Sequence, residues 1–86
     1  MNLDKHPEVN NRGDLAELIS LLREDLHNNP DDWENHTLDH FLEAMEAYTR
    51  GVDKYYKFNK IPVDADAASP QWQVFADILL GARIYE

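Results

Sequence analysis

The chain has no cysteine among its 86 residues. That removes disulfides, thiolate metal sites, iron–sulfur clusters and cysteine nucleophiles together, and it fits a reducing compartment. Glycine is scarce as well, with three in the whole chain. A phosphate-cradling P-loop, a G-x-G-x-x-G turn or a G-x-S-x-G nucleophile elbow needs glycines at fixed offsets, and none of these patterns occurs. No apolar run approaches the ~18 residues that span a bilayer, and the first residues, "MNLDKHPEVNNRGD", contain no apolar signal core. The expectation is a cytoplasmic protein. Basic charge is also in short supply, at eight Lys and Arg against seventeen Asp and Glu, for a net charge of −9. A small body carrying that charge repels nucleic acid and anionic membranes and favours basic partners.

What remains is a chain with enough apolar residues for one modest core. The charge is uneven. Residues 31–50 carry six acids and one base, whereas residues 51–61 carry three lysines and one acid.

Three segments show helical periodicity. In the first, Leu15, Leu18, Ile19, Leu22 and Leu26 fall on one face, with Asn11 as N-cap and Asn28-Asn29-Pro30 as the stop. In the second, Leu38, Phe41, Leu42, Met45, Tyr48 and Val52 repeat at helical spacing after a cap at Asn35 or Thr37. Gly51 could end this helix. The pattern continues through Tyr55 and Tyr56, however, so one helix reaching about Phe58 is preferred at a cost of ~1 kcal/mol for the internal glycine. The third opens at "SPQW", with Ser69 as cap and Pro70 at the first helical position. Trp72, Phe75, Leu79 and Ala82 make its apolar stripe. No alternating strand pattern appears. The predicted fold is all-α, a small three-helix bundle with helices near 12–28, 37–58 and 70–84. Residues 1–10 read as a flexible N-terminal arm and residues 11–86 as a single helical domain.

Several residue groups invite a functional reading. His36 and His40, four apart and with Glu43 nearby, could ligate one metal ion from a helix face. The HExxH pattern fails, because Thr37 stands where its glutamate belongs. A cap at Thr37 would also put His36 outside the helix, leaving a solvated first turn. The segment "DKYYKFNK" mixes lysines with aromatics, as some single-strand nucleic-acid binders do. Core tyrosines with lysines favouring the helix C-terminus explain it better and agree with the net charge. Trp72 reads as core. Trp33 lies off every stripe and reads as a plug for one end of the bundle or as a partner anchor.

Three stretches, "NNPDDWENHTLDHFLEAM", "GVDKYYKFNKIPV" and "SPQWQVFADILLGARIYE", resemble a family of small acidic bacterial proteins over roughly residues 12–86. The shared features are a Trp-Glu-Asn-x-Thr-Leu turn, a Tyr-Tyr pair and a C-terminal Ala-Arg-Ile-Tyr-Glu. The recurring positions include Trp33, Asn35, Thr37, Tyr56, Trp72, Arg83, Tyr85 and Glu86. The resemblance implies a bacterial origin and an all-helical fold, and no activity. Immunity proteins, which shield a cell from its own toxins, are an analogy only.

The leading functional expectation is a non-enzymatic module that binds a basic protein partner and needs no cofactor. Its face would comprise Asp31, Asp32, Glu34, Asp39, Glu43 and Glu46, and an immunity-type inhibitor of a basic enzyme is a specific version. The alternatives are a metal-binding protein or metal-dependent enzyme using His36, His40 and Glu43, and a homo-oligomeric structural protein. At the C-terminus, Glu86 would need a basic side chain to offset the helix dipole.

Overall fold

A computed structural model of the chain describes residues 3, 7–67 and 71–85. Three helices form where the periodicity places them. Helix α1 is Arg12–Asn28, α2 is Leu38–Phe58 and α3 is Trp72–Ala82, with a single 3-10 turn at Pro30–Asp32. Among the described residues there is no strand, and no helix is long and apolar enough to cross a membrane.

The helix boundaries have local causes. Asn11 Oδ1 accepts the Asp14 N–H at 2.8 Å, and Asp14 Oδ2 accepts the Asn10 N–H at 3.1 Å. This differs from a capping box in that the N3 side chain accepts from the residue before the cap and not from the cap itself. Thr37 caps α2 by accepting the His40 N–H at 3.2 Å. Gly51 does not end α2; the end comes at Lys60, whose φ of 56° is left-handed. There the Ile61 N–H donates to Tyr56 O and the Lys60 N–H to Lys57 O. This is a Schellman closure with lysine where glycine is usual. Helix α3 begins at Trp72, two residues later than expected. The proposed Ser69 cap and Pro70 lie outside the described residues, as does Glu86.

Helix α3 is the central element. Helix α2 lies along it and α1 packs on it, while no Cα of α1 comes within 8 Å of a Cα of α2. The core divides accordingly. Leu18 and Leu22 of α1 meet Ala76 of α3, with Val9 and Trp33 closing the cluster. Val52 and Tyr56 of α2 meet Val74 on another side of α3.

The described part of the N-terminal segment is docked, in contrast to the loose lead-in expected for residues 1–10. Val9 is 1% exposed, its N–H donates to Gln73 Oε1 at 2.7 Å, and Gln73 Nε2 donates to Pro7 O at 2.9 Å.

Two apolar stripes are rotated from their expected facing. On α3, Ala82 is buried, but Trp72 and Phe75 are exposed and pair edge-to-face at 5.9 Å. The sequence "WQVFADILLGA" is apolar on almost every face, so periodicity alone does not choose the buried one. Gln73 and Asp77 choose it, because their bonds point inward. On α2, Leu38 and Leu42 are exposed, whereas Ala44, Val52 and Tyr56 are buried.

The two glycines within α2 and α3 differ in their surroundings. A Cβ at Gly81 would sit 2.5 Å from Tyr48 Cζ, whereas at Gly51 it would meet nothing within 4 Å. Gly51→Ala is expected to stabilise by about 1 kcal/mol through helix propensity. Gly81→Ala is expected to destabilise by about 1–3 kcal/mol, because the Tyr48 ring must give way. Denaturant unfolding of both variants checks the opposite signs.

Candidate functional site

The turn after α1 and the end of α3 interlock. The Trp33 indole N–H donates to Asp25 Oδ2 at 2.8 Å, and the Arg83 guanidinium reaches the same oxygen at 3.4 Å. Asn29 Nδ2 donates to the other oxygen, Asp25 Oδ1, at 3.1 Å. Asn35 then closes the end of α3. Its Nδ2 donates to Ala82 O at 3.0 Å and Tyr85 O at 2.6 Å, and its backbone N–H donates to Arg83 O at 3.1 Å. Ala82 O is one of the carbonyls that a helix C-terminus leaves without an intrahelical donor, and Arg83 O and Tyr85 O follow it directly. Trp33 is 7% exposed and its ring stacks on Phe41 at 6.0 Å. The Trp-Glu-Asn-x-Thr-Leu turn and the Ala-Arg-Ile-Tyr segment are therefore two halves of one clasp holding α1, α2 and α3. Trp33 plugs the bundle end, as expected of a loop tryptophan on no stripe.

The clasp makes stability pH-dependent. The Trp33 N–H, against the opposing effect of partial burial and with help from Asn29 and Arg83, holds the Asp25 carboxyl below its ordinary value of 3.8. A depressed folded value means the stabilisation is complete above the unfolded value and fades as pH falls through the folded one. Asp25→Asn is expected to melt below wild type at neutral pH, with the two converging between about pH 5 and pH 2. Melting temperature against pH checks this.

A buried polar chain lies elsewhere on α3. Asp77 is 3% exposed. Its Oδ2 accepts the Tyr56 hydroxyl at 2.7 Å and its Oδ1 accepts Gln73 Nε2 at 3.0 Å. Burial first, then this bond to Asp77, push the Tyr56 hydroxyl far above the usual phenol range. Burial alone is the main cause of the rise at Tyr48, to about 12. These are features of a fixed core rather than of a group poised for proton transfer near neutrality.

The expected site residues are dispersed over the turn after α1 and the first half of α2. Asp31 and Asp32 lie on the 3-10 turn, and all six candidate acids are exposed. Glu34 and Glu43 line one depression together with His40 and Tyr85. Glu46 is held by Arg50, whose Nη2 lies 2.9 Å from it. His36 precedes the cap at Thr37 and lines a different, apolar groove, so the structure separates it from His40 and Glu43. Among the described residues no group of three or more His, Cys, Asp or Glu is placed to hold a metal ion.

That groove is the feature missed in the sequence. Ile19, Leu22 and Leu26 of α1, Leu38 and Phe41 of α2 and Leu79 of α3 enclose a cavity of about 300 Å³ open to solvent. It exists because α1 and α2 both pack on α3 and not on each other.

The model of a family of unknown function (DUF7660) matches residues 11–86, and the chain belongs to that family. No curated protein and no solved structure matches it.

Proposed function

We propose that this member of DUF7660 is a non-enzymatic interaction module that engages a protein partner of basic surface. The contact face is the acidic region 31–50, chiefly Asp31, Asp32, Glu34, Asp39, Glu43 and Glu46. The observation that carries this reading is their lack of neutralisation. Among the described residues only Glu46 of the six has an ion-pair partner, so five exposed carboxylates lie on the turn and the first half of α2 with no cation against them. Asp39 in the first turn of α2 suits the helix dipole, but the dipole does not account for Glu34 and Glu43, and a cationic surface approaching the region is attracted and oriented.

A specific form of this role is an immunity-type inhibitor that masks a basic enzyme in a bacterial cytoplasm. Nucleic acid and anionic membranes are disfavoured as partners by the same charge. The test is the salt response of the partner captured from the native host. Affinity is expected to fall at least about tenfold between low and high ionic strength, chiefly through slower association. Replacing Asp31, Asp32 and Glu34 by their amides should reproduce much of that loss at low salt. An affinity indifferent to salt refutes the acidic face.

A further inference from the structure

The segment before α1 alternates. Pro7 and Val9 are buried, whereas Glu8 and Asn10 are exposed. A period of two is the pattern of an extended segment with one face inward. Among the described residues no strand lies beside it to take its backbone bonds. A side chain takes them instead. Gln73 of α3 accepts the Val9 N–H through Oε1 and donates to Pro7 O through Nε2. One amide thus answers a carbonyl and an N–H on either side of residue 8, as a neighbouring strand would. Proline fits at position 7 because Gln73 asks only for its carbonyl. The amide is held in place, since Nε2 also donates to Asp77 Oδ1, and Asp77 accepts the Tyr56 hydroxyl. Beside it, Val9 joins the cluster of Leu18, Leu22, Trp33 and Ala76.

These are the elements of peptide recognition by strand addition: main-chain bonds for affinity and a place for alternate side chains for selection. Gln73 reads main chain alone, so the bonds do not depend on which chain supplies the segment. The segment is also separable from the bundle. The family match begins at residue 11, and α1 starts from its own cap at Asn11. Peeling residues 7–9 from α3 breaks the two Gln73 bonds and unseats Pro7 and Val9, but breaks no hydrogen bond within a helix. Terminal segments held in this way open locally before the body unfolds. We propose that Pro7–Val9 is the chain's own occupant of a peptide-binding site on α3. When this strap opens, an extended Pro-x-Val segment of a partner protein takes the same place, so the strap is an autoinhibitory contact.

The test uses the full chain, isotope-labelled, and an unlabelled capped peptide of residues 5–11, KHPEVNN. In the wild-type chain the Val9 amide is expected to exchange hydrogen at least about tenfold faster than those of Leu18, Leu22 and Ala76. A large excess of peptide should speed Val9 exchange further, because the strap is then held off α3. Val9→Ser weakens the strap and leaves Gln73 intact. The peptide is expected to bind this variant at least about tenfold more tightly than wild type, shifting the Gln73 side-chain amide, because the strap no longer competes. The same peptide with aspartate for valine should not bind. A Val9 amide that exchanges only together with the core amides overturns the proposal, as does Val9 exchange that excess peptide leaves unchanged. Both are read on the wild-type chain and decide the matter where Val9→Ser does not fold. Equal binding of the aspartate peptide, or no binding to a folded Val9→Ser, overturns the site as well. None of these results bears on the acidic face, whose test is salt.

Discussion

Asp77→Ala is expected to lower stability by about 3 kcal/mol, since it strands a buried hydroxyl and opens a gap at once. Tyr56 is 1% exposed, and its hydroxyl donates to Asp77 Oδ2 at 2.7 Å. Without that acceptor the phenol keeps its burial and loses its bond, which costs more than the bond itself contributes. Gln73 loses one of the two acceptors of its Nε2 at the same time, and Gln73 holds both Pro7 O and the Val9 N–H. A domain of this size has about 5–10 kcal/mol in all, and each kcal/mol moves its melting point by about 4–8 °C. The variant should therefore melt at least about 12 °C lower. Hydrogen exchange at the Val9 amide should accelerate beyond the global effect, because its acceptor side chain is no longer braced. Tyr56→Phe alone should cost less, and the double variant should cost less than the sum of the two. Strict additivity would show that the three side chains do not act as a unit.

Helices α1 and α2 were legible in the sequence because each has a boundary with a local cause. Asn11, Thr37 and the Asn29-Pro30 stop act within four residues of themselves, and chain-local chemistry is what sequence reading resolves best. Gly51 does not break α2 for a related reason: the apolar period on both sides outweighs one glycine. The facing of the helices was harder. Leu38 and Leu42 share a helical face with buried residues and still lie in water, since α1 and α2 do not close on each other. That depends on how three helices share α3, which no single helix encodes. On α3 the cue is a single residue. Asp77 is a lone carboxylate in an apolar helix, and a charge so placed is either buried with donors or marks the solvent side.

The candidate site divides in the same way. Residues 31–50 were legible as acidic, and exposure of acids is the ordinary outcome. Asp25 was not legible, being one of seventeen acids on a helix with no visible partner in sequence. Its three partners come from 29, 33 and 83, and only the fold assembles them. The resemblance had marked Trp33, Asn35 and Arg83 as recurring without a reason. The clasp supplies a structural one, in which Trp33 is an internal fastening and not an exposed partner anchor.

That reassignment has the largest measurable consequence. Trp33→Ala is expected to cost about 3–5 kcal/mol, the ordinary loss for a buried tryptophan. The diagnostic variant is Trp33→Phe, which retains most of the ring stacked on Phe41 and deletes the N–H. It should cost about 1–3 kcal/mol, because the acceptor is an ionised carboxylate that then keeps only Asn29 and a long contact to Arg83. Most of that cost should vanish at low pH, where Asp25 is protonated in both proteins, and Asp25→Asn should remove most of the difference at every pH. Asn35→Ala should cost about 2 kcal/mol by releasing Ala82 O and Tyr85 O, and should fray α3 from its C-terminus, visible as faster exchange at residues 81–85. A surface anchor for a partner behaves differently. If Trp33 served only binding, Trp33→Phe would keep the wild-type melting temperature from pH 3 to pH 7, and that flat result would refute the clasp.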